Sequence, residues 1–134
     1  MTLDIRRLAS SKSAEEGFEL ELLDDRRMPT GAFIRIRGAD GDTYRAKRRE
    51  IQRSRLAGAQ GRDLRTLPDR VDEEELELLA GVTTGWRGLL SDGVELAYSE
   101  AAAMALYRDV PGIKEQVDAA VHNRANFLPP FGTS

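Results

Sequence analysis

Two stretches near the start of the chain alternate between apolar and polar side chains. Gly17 to Leu23 reads GFELELL, with Phe18, Leu20 and Leu22 on one side and Glu19 and Glu21 on the other. Ala32 to Arg37 reads AFIRIR, with Ala32, Ile34 and Ile36 opposed to Phe33, Arg35 and Arg37. A period of two marks an extended strand with one buried face. The intervening DDRRMPTG is rich in turn formers, so the two stretches are expected to fold back on each other as an antiparallel hairpin. Charge matching suggests the register. Glu19 opposite Arg37 and Glu21 opposite Arg35 also set Leu20 against Ile36 and Leu22 against Ile34.

After Gly38-Ala39-Asp40-Gly41 the period lengthens. From Asp42 or Thr43 to about Ala57 the chain can form a helix, but its apolar stripe is thin: Tyr44, Ile51, Ala46 and Leu56. Arg45, Lys47, Arg48, Arg49, Arg53 and Arg55 crowd the rest of it against one acid, Glu50. Such a helix barely buries itself; it lies on solvent or covers another surface. Residues 59–68 read as a linker. At Asp69 the sign of the charge inverts. Asp69, Asp72, Glu73, Glu74, Glu75 and Glu77 open a second helix, where acids complement the electropositive N-terminus, and Leu78, Leu79, Val82 and Trp86 give it an apolar stripe.

The chain from Thr84 to Phe127 carries the densest pattern. Asp92-Gly93 supplies the positive φ values of a tight hairpin turn. Val94, Leu96 and Tyr98 follow in alternation with Glu95 and Ala97. Ser99 can cap a helix in which Ala103, Leu106, Tyr107 and Val110 share one face. Pro111 ends that helix and suits the first turn of the next, where Ile113, Val117, Ala120 and Val121 repeat the helical spacing. The expected class is α+β: an N-terminal antiparallel β-hairpin, then a mainly helical C-terminal part of about four helices with a short second hairpin. Trp86, Leu106, Tyr107, Ile113, Val117 and Phe127 are expected core anchors. The expected organisation is a loose arm over 1–16, hairpin and basic helix over 17–58, linker over 59–68, helical core region over 69–128 and tail over 129–134. Ser13-x-x-Glu16 matches a capping box, but no apolar helical run follows it, so it is set aside.

Composition narrows what such a fold can do. A chain of 134 residues, 40% hydrophobic, suits one domain with a modest core. It has no cysteine, which removes disulfides and thiolate metal sites, no apolar run of membrane-spanning length and no secretory pattern at its start, so a cytoplasmic setting is expected. The net charge of -3 conceals a division: residues 1–68 hold 15 basic and 11 acidic groups, residues 69–134 hold 5 basic and 12 acidic groups. Halves of opposite sign can attract each other within or between chains.

Catalytic parts are missing from the pattern. His122 is the single histidine, placed among polar residues on an expected helix; the acid run at 69–77 lacks the alternating ligands and central Gly of a calcium loop; no phosphate loop and no G-x-S-x-G occurs. Neither an enzyme, a metal nor a cofactor is expected. The basic helix 43–57 can neutralise phosphates, but Tyr44 is its only aromatic, so it offers nucleic-acid bases no stacking platform. Contact with an acidic protein surface, on the same or a neighbouring subunit, is the simpler use. The candidate contact residues are Arg48, Arg49, Arg53, Arg55, Glu73, Glu74 and Glu77.

The segment GWRGLLSDGVELAYSEAAAMALYRDVPGIKEQVDAAVHNRANF resembles the tail assembly chaperones of long-tailed bacteriophages and prophages. That family has a Gly-Trp after an acidic Leu-rich helix, a D-G turn, an apolar strand, a Ser-led helix, a Pro-led helix with I-x-x-Q-V spacing and an Asn-Phe close. Here these are Gly85-Trp86, Asp92-Gly93, Val94 to Tyr98, Ser99, Pro111, Ile113 to Val117 and Asn126-Phe127. The upstream PTGAFIRIRGADGDTYRAKRREIQRSR is similar to the family's N-terminal half, while Gly112 stands where the family pattern has an aromatic. The resemblance implies a non-enzymatic protein of the host cytoplasm, absent from the finished virion. Such a protein would bind the tape-measure protein, help recruit the tail tube protein and associate with its own copies. The alternative is a small phage regulatory or nucleic-acid-associated protein using helix 43–57.

Overall fold

The computed structural model describes residues 2–57 and 67–128. Strands β1 (Phe18–Leu23) and β2 (Pro29–Ile36) form the N-terminal antiparallel hairpin, and their apolar faces turn inward as the alternation requires. Leu22, Ala32, Ile34 and Ile36 are buried, with Phe18 and Leu20 packed against them. The register differs from the charge-matched one. Phe18 lies opposite Ile36, Glu19 opposite Arg35 and Leu20 opposite Ile34. The displacement is two residues, so every side chain keeps its face and the apolar pattern alone cannot tell the two registers apart. The charges cannot either, because their partners lie elsewhere. Glu19 pairs with Arg87 at 2.9 Å, and Arg35 donates to the Glu16 carbonyl at 2.9 Å.

Arg87 belongs to a third strand that the helical reading of this region hid. The acidic helix α3 (Leu67–Val82) does not carry on to Trp86; Thr83–Arg87 forms β3, antiparallel to β2, giving the sheet order β1-β2-β3. Val82, Thr83 and Thr84 are consecutive β-branched residues, which favour extended backbone. The buried Thr83 hydroxyl also donates back to the Leu79 carbonyl at 2.8 Å, a local bond that competes with further helix. A second, two-stranded hairpin follows, β4 (Leu90–Ser91) with β5 (Val94–Glu95).

The other helices are α1 (Ser11–Glu16), α2 (Asp42–Ala57), α4 (Glu100–Asp109) and α5 (Pro111–His122). Ser99 caps α4 by accepting from the Ala102 amide at 2.9 Å, and Pro111 opens α5. The helices pack in sequence, α2 on α3, α3 on α4 and α4 on α5, and α5 returns to β1 and β2. Tyr107, Val117, Val121 and Phe127 fill the space between α4, α5 and the inner face of the sheet, while Trp86, Leu106 and Ile113 are partly buried against the same core. At the far end of β1 the side-chain amide of Gln116 both donates to the Leu23 carbonyl (3.0 Å) and accepts from the Leu23 amide (2.8 Å).

The expected loose arm over 1–16 is instead docked from Ser10 onward. Ile5–Leu8 is a 3-10 turn, and α1 places Ala14 in the core with no exposed surface. Its docking needs small neighbours. A Cβ on Gly38 would lie 2.8 Å from the Phe127 ring and 3.0 Å from Ala14, and one on Gly41 would lie 2.8 Å from the Glu15 carboxylate. The Glu15 carboxylate accepts from the Thr43 amide (2.9 Å) and hydroxyl, which satisfies a free N–H at the start of α2. Burial raises the Glu15 pKa, but the Thr43 bonds and the Arg37 charge outweigh it and hold the group below its ordinary value. With one buried apolar residue in six, α1 has no periodicity from which to be recognised. The expected linker over 59–68 lies, up to residue 66, outside the described residues, as does the tail over 129–134.

Two outcomes follow for stability. Gly38→Ala should cost about 1–3 kcal/mol through overpacking against Phe127. Gly112→Ala, where a Cβ meets nothing within 4 Å, should stabilise α5 by about 0.5–1 kcal/mol; urea unfolding of both variants checks the contrast. The second concerns Tyr107, whose phenol burial pushes up to about 12 despite its 2.6 Å bond with Thr83. The folded state therefore keeps a proton that the unfolded chain loses near pH 10. Stability is full below that pH and should fall by roughly 2–3 kcal/mol as pH rises from 10 towards 12. Tyr107→Phe should show a shallower fall in the same titration.

Candidate interaction surface

Helix α2 is held to the fold by little. Tyr44 and Ile51, two turns apart, are its buried residues. Arg45, Arg48, Arg49 and Arg53 are exposed. Helix α3 is anchored more deeply, through Leu76, Leu79, Ala80 and Val82, and presents its acids around that stripe. Among the described residues the expected attraction between the two helices is realised where the Arg55 guanidinium bonds to the Glu74 carboxylate through Nε and a terminal nitrogen. Two neighbouring acids of α3 turn to other helices, Glu73 to Arg108 on α4 (3.0 Å) and Glu75 to Lys114 on α5 (2.8 Å). Hydrogen bonding by Glu75 raises the Lys114 pKa, and hydrogen bonding by Glu74 raises that of Arg55. Lys47 reaches Glu100 at 3.7 Å.

The residues expected to make contacts therefore divide. Arg55, Glu73 and Glu74 are engaged inside the chain. Arg48, Arg49, Arg53 and Glu77 form no ion pair among the described residues. The three arginines offer forked donors suited to carboxylates or phosphates. Arg48 also lines a shallow groove of about 260 Å³ between α2 and α3, with Tyr44, Ile51 and Leu78 as its apolar lining and Gln52, Glu75 and the Arg55–Glu74 pair around them.

His122, expected to be a solvated helix residue, has a structural place. Its Nδ1 lies 3.0 Å from the Asp118 carbonyl, which can only accept, so this nitrogen carries the proton. Nε2 is then free to accept from the Tyr44 hydroxyl at 3.1 Å. The ring links the end of α5 to the start of α2.

The second hairpin departs from expectation in what it exposes. Its turn is as read, with Asp92 at φ 51° and Gly93 at φ 79°, the pair of positive values that a two-residue hairpin loop requires. The alternation of Val94, Leu96 and Tyr98 suggests a buried face, yet Val94 is 69% exposed and Leu90 67%. Strands of two residues are too short to cover each other's side chains. What fixes the hairpin is its base. Trp86 Nε1 donates to the Leu96 carbonyl (2.8 Å), Tyr98 stacks edge-on against Trp86 at 5.0 Å between ring centres, and the Tyr98 hydroxyl donates to the Thr83 carbonyl (2.6 Å). Trp86 and Tyr98 thus hold a rigid base beneath an apolar tip.

Among the described residues no group of three or more His, Asp or Glu side chains gathers as a metal site, and no helix is long and apolar enough to cross a membrane. Comparison of the chain with protein families, curated proteins and solved structures finds no match. Because Arg49 and Arg53 support no contact in the fold, the variant Arg49→Glu/Arg53→Glu should unfold within about 3 °C of the parent chain. A thermal melt followed by circular dichroism measures this; a larger loss would assign these residues to the fold instead of to a partner.

Proposed function

We propose that this chain is a phage tail assembly chaperone that binds the tape-measure protein and assists tail tube assembly through protein–protein contacts, without catalysis. The observation that carries the reading is the bare arginine face of α2. Most strong cations elsewhere on the helical face have a carboxylate partner, whereas Arg48, Arg49 and Arg53 are exposed and form no ion pair among the described residues. A surface of that composition suits an amphipathic segment with acids along one side. The resemblance supports the same reading, since the residues that carry it hold defined places: Trp86 in β3, Asp92-Gly93 in the turn, Ser99 as a cap, Pro111 opening α5 and Phe127 in the core.

A tape measure offers long helical stretches with recurring apolar stripes. Many copies of the chaperone would bind along it, each weakly, and gain strength through contacts between neighbours. Those copies would act in the host cytoplasm before the tube closes and leave before the virion is complete. Retaining nucleic acid on the same arginines is the competing use.

Co-expression with a tape-measure protein from the same genome tests the proposal. The expected result is a soluble complex that survives purification at moderate salt and is lost with Arg48→Glu/Arg49→Glu/Arg53→Glu. Retention of DNA in a gel shift at the same salt, with no capture of the tape measure, would overturn it in favour of the nucleic-acid reading.

A further inference from the structure

We infer that the β4–β5 hairpin of one copy seats in the α2–α3 groove of another, so that copies join head to tail. The inference rests on the self-association part of the assembly reading and not on capture of the tape measure.

Four observations lead to it. First, the hairpin presents Leu90 and Val94 to solvent on opposite faces of a two-stranded ribbon, because Leu90 pairs with Glu95 and Ser91 with Val94. A flat surface would cover one of these side chains; a groove covers both. Second, the hairpin is already ordered. Its turn is fixed by Asp92 and Gly93 and its base by Trp86 and Tyr98, so little conformational entropy is lost when it docks. Third, the groove between α2 and α3 has an apolar floor in Ile51 and Leu78 that a branched aliphatic side chain complements.

Fourth, the charges match. Asp92 and Glu95 at the hairpin have no ion pair among the described residues, and residues 88–99 include no lysine or arginine. Arg48, Arg49 and Arg53 have no ion pair either. Of the acids of α3, which a simple opposition of basic and acidic helices would use, Glu73, Glu74 and Glu75 are engaged by Arg108, Arg55 and Lys114. The hairpin acids Asp92 and Glu95 stand exposed and able to meet α2 of another copy. Within one protomer the hairpin extends from β3 and makes no ion pair with α2, so the two surfaces meet between copies. Since hairpin and groove are different patches, the contact is heterologous and leaves one of each unfilled at the ends of every string.

Sedimentation velocity on the full chain, without any other protein, tests this. The parent chain should grow in mass with concentration, without a closed endpoint, and less so as salt rises. Leu90→Ser/Val94→Ser removes the hairpin surface and leaves the turn; Arg48→Glu/Arg49→Glu reverses the charge at the groove edge and next to it. Each should weaken self-association at least tenfold while keeping the parent's circular dichroism spectrum. Mixed, the two variants should form a one-to-one complex that grows no further, since each retains the surface the other has lost. Should the serine variant lose its folded spectrum, Glu95→Arg replaces it, and adding Arg48→Glu to that chain should restore association. A parent chain that stays monomeric, a hairpin variant that associates as the parent does, or a mixture that stays monomeric would overturn the inference. All of these readings are indifferent to whether a tape measure binds.

Discussion

A single buried hydroxyl decides where a helix becomes a strand in this protein. Thr83 donates to Leu79 behind it and accepts from Tyr107 on α4, all within the core. The first bond closes the end of α3, and the second ties that end to the next helix, α4. Once the chain is extended at Thr83, residues up to Arg87 lie along β2, and β2 becomes a central strand with both neighbours in place. That is why Ile34 and Ile36 have no exposed surface. The position of Arg87 draws Glu19 away from the hairpin partner that sequence would give it, and its guanidinium also lies 3.9 Å above the Phe33 ring on the outer face. A buried polar network of this sort is favourable when every member is satisfied, and here no buried side-chain nitrogen or oxygen among the described residues lacks a partner.

Periodicity revealed those features that local chemistry controls. The inward faces of β1 and β2, the Asp92-Gly93 turn, the Ser99 cap and the Pro111 start each depend on residues within a few positions of one another, and each is where the pattern puts it. Features set by distant partners were not legible. The hairpin register depends on β3, fifty residues away by the Arg35–Gly85 pairing. The docking of α1 depends on the absence of side chains at Gly38 and Gly41, which reads as a turn in sequence and as a socket in space. Apolar alternation at Val94 suggested burial, but a ribbon of two-residue strands supplies nothing to bury against.

The charge division along the chain was visible in the sequence, while its use was not. Counting signs suggests that a basic and an acidic helix oppose each other. The side chains instead distribute the acids of α3 among three helices, so that α3 is the hub of the helical layer and α2 keeps a surplus of cations outside. These exposed pairs add little to stability individually. Their larger effect is to determine which charges remain for other molecules to meet.

Gln116 shows how the rim of a sheet can be closed by a side chain. A strand at the rim of a sheet is a template on which any passing backbone can crystallise. At Leu23 that template is occupied by a primary amide whose donor and acceptor imitate a peptide group. The forgery ends the ladder there without adding a strand. Backbone pairing between chains through this end of β1 is thereby denied its first hydrogen bonds.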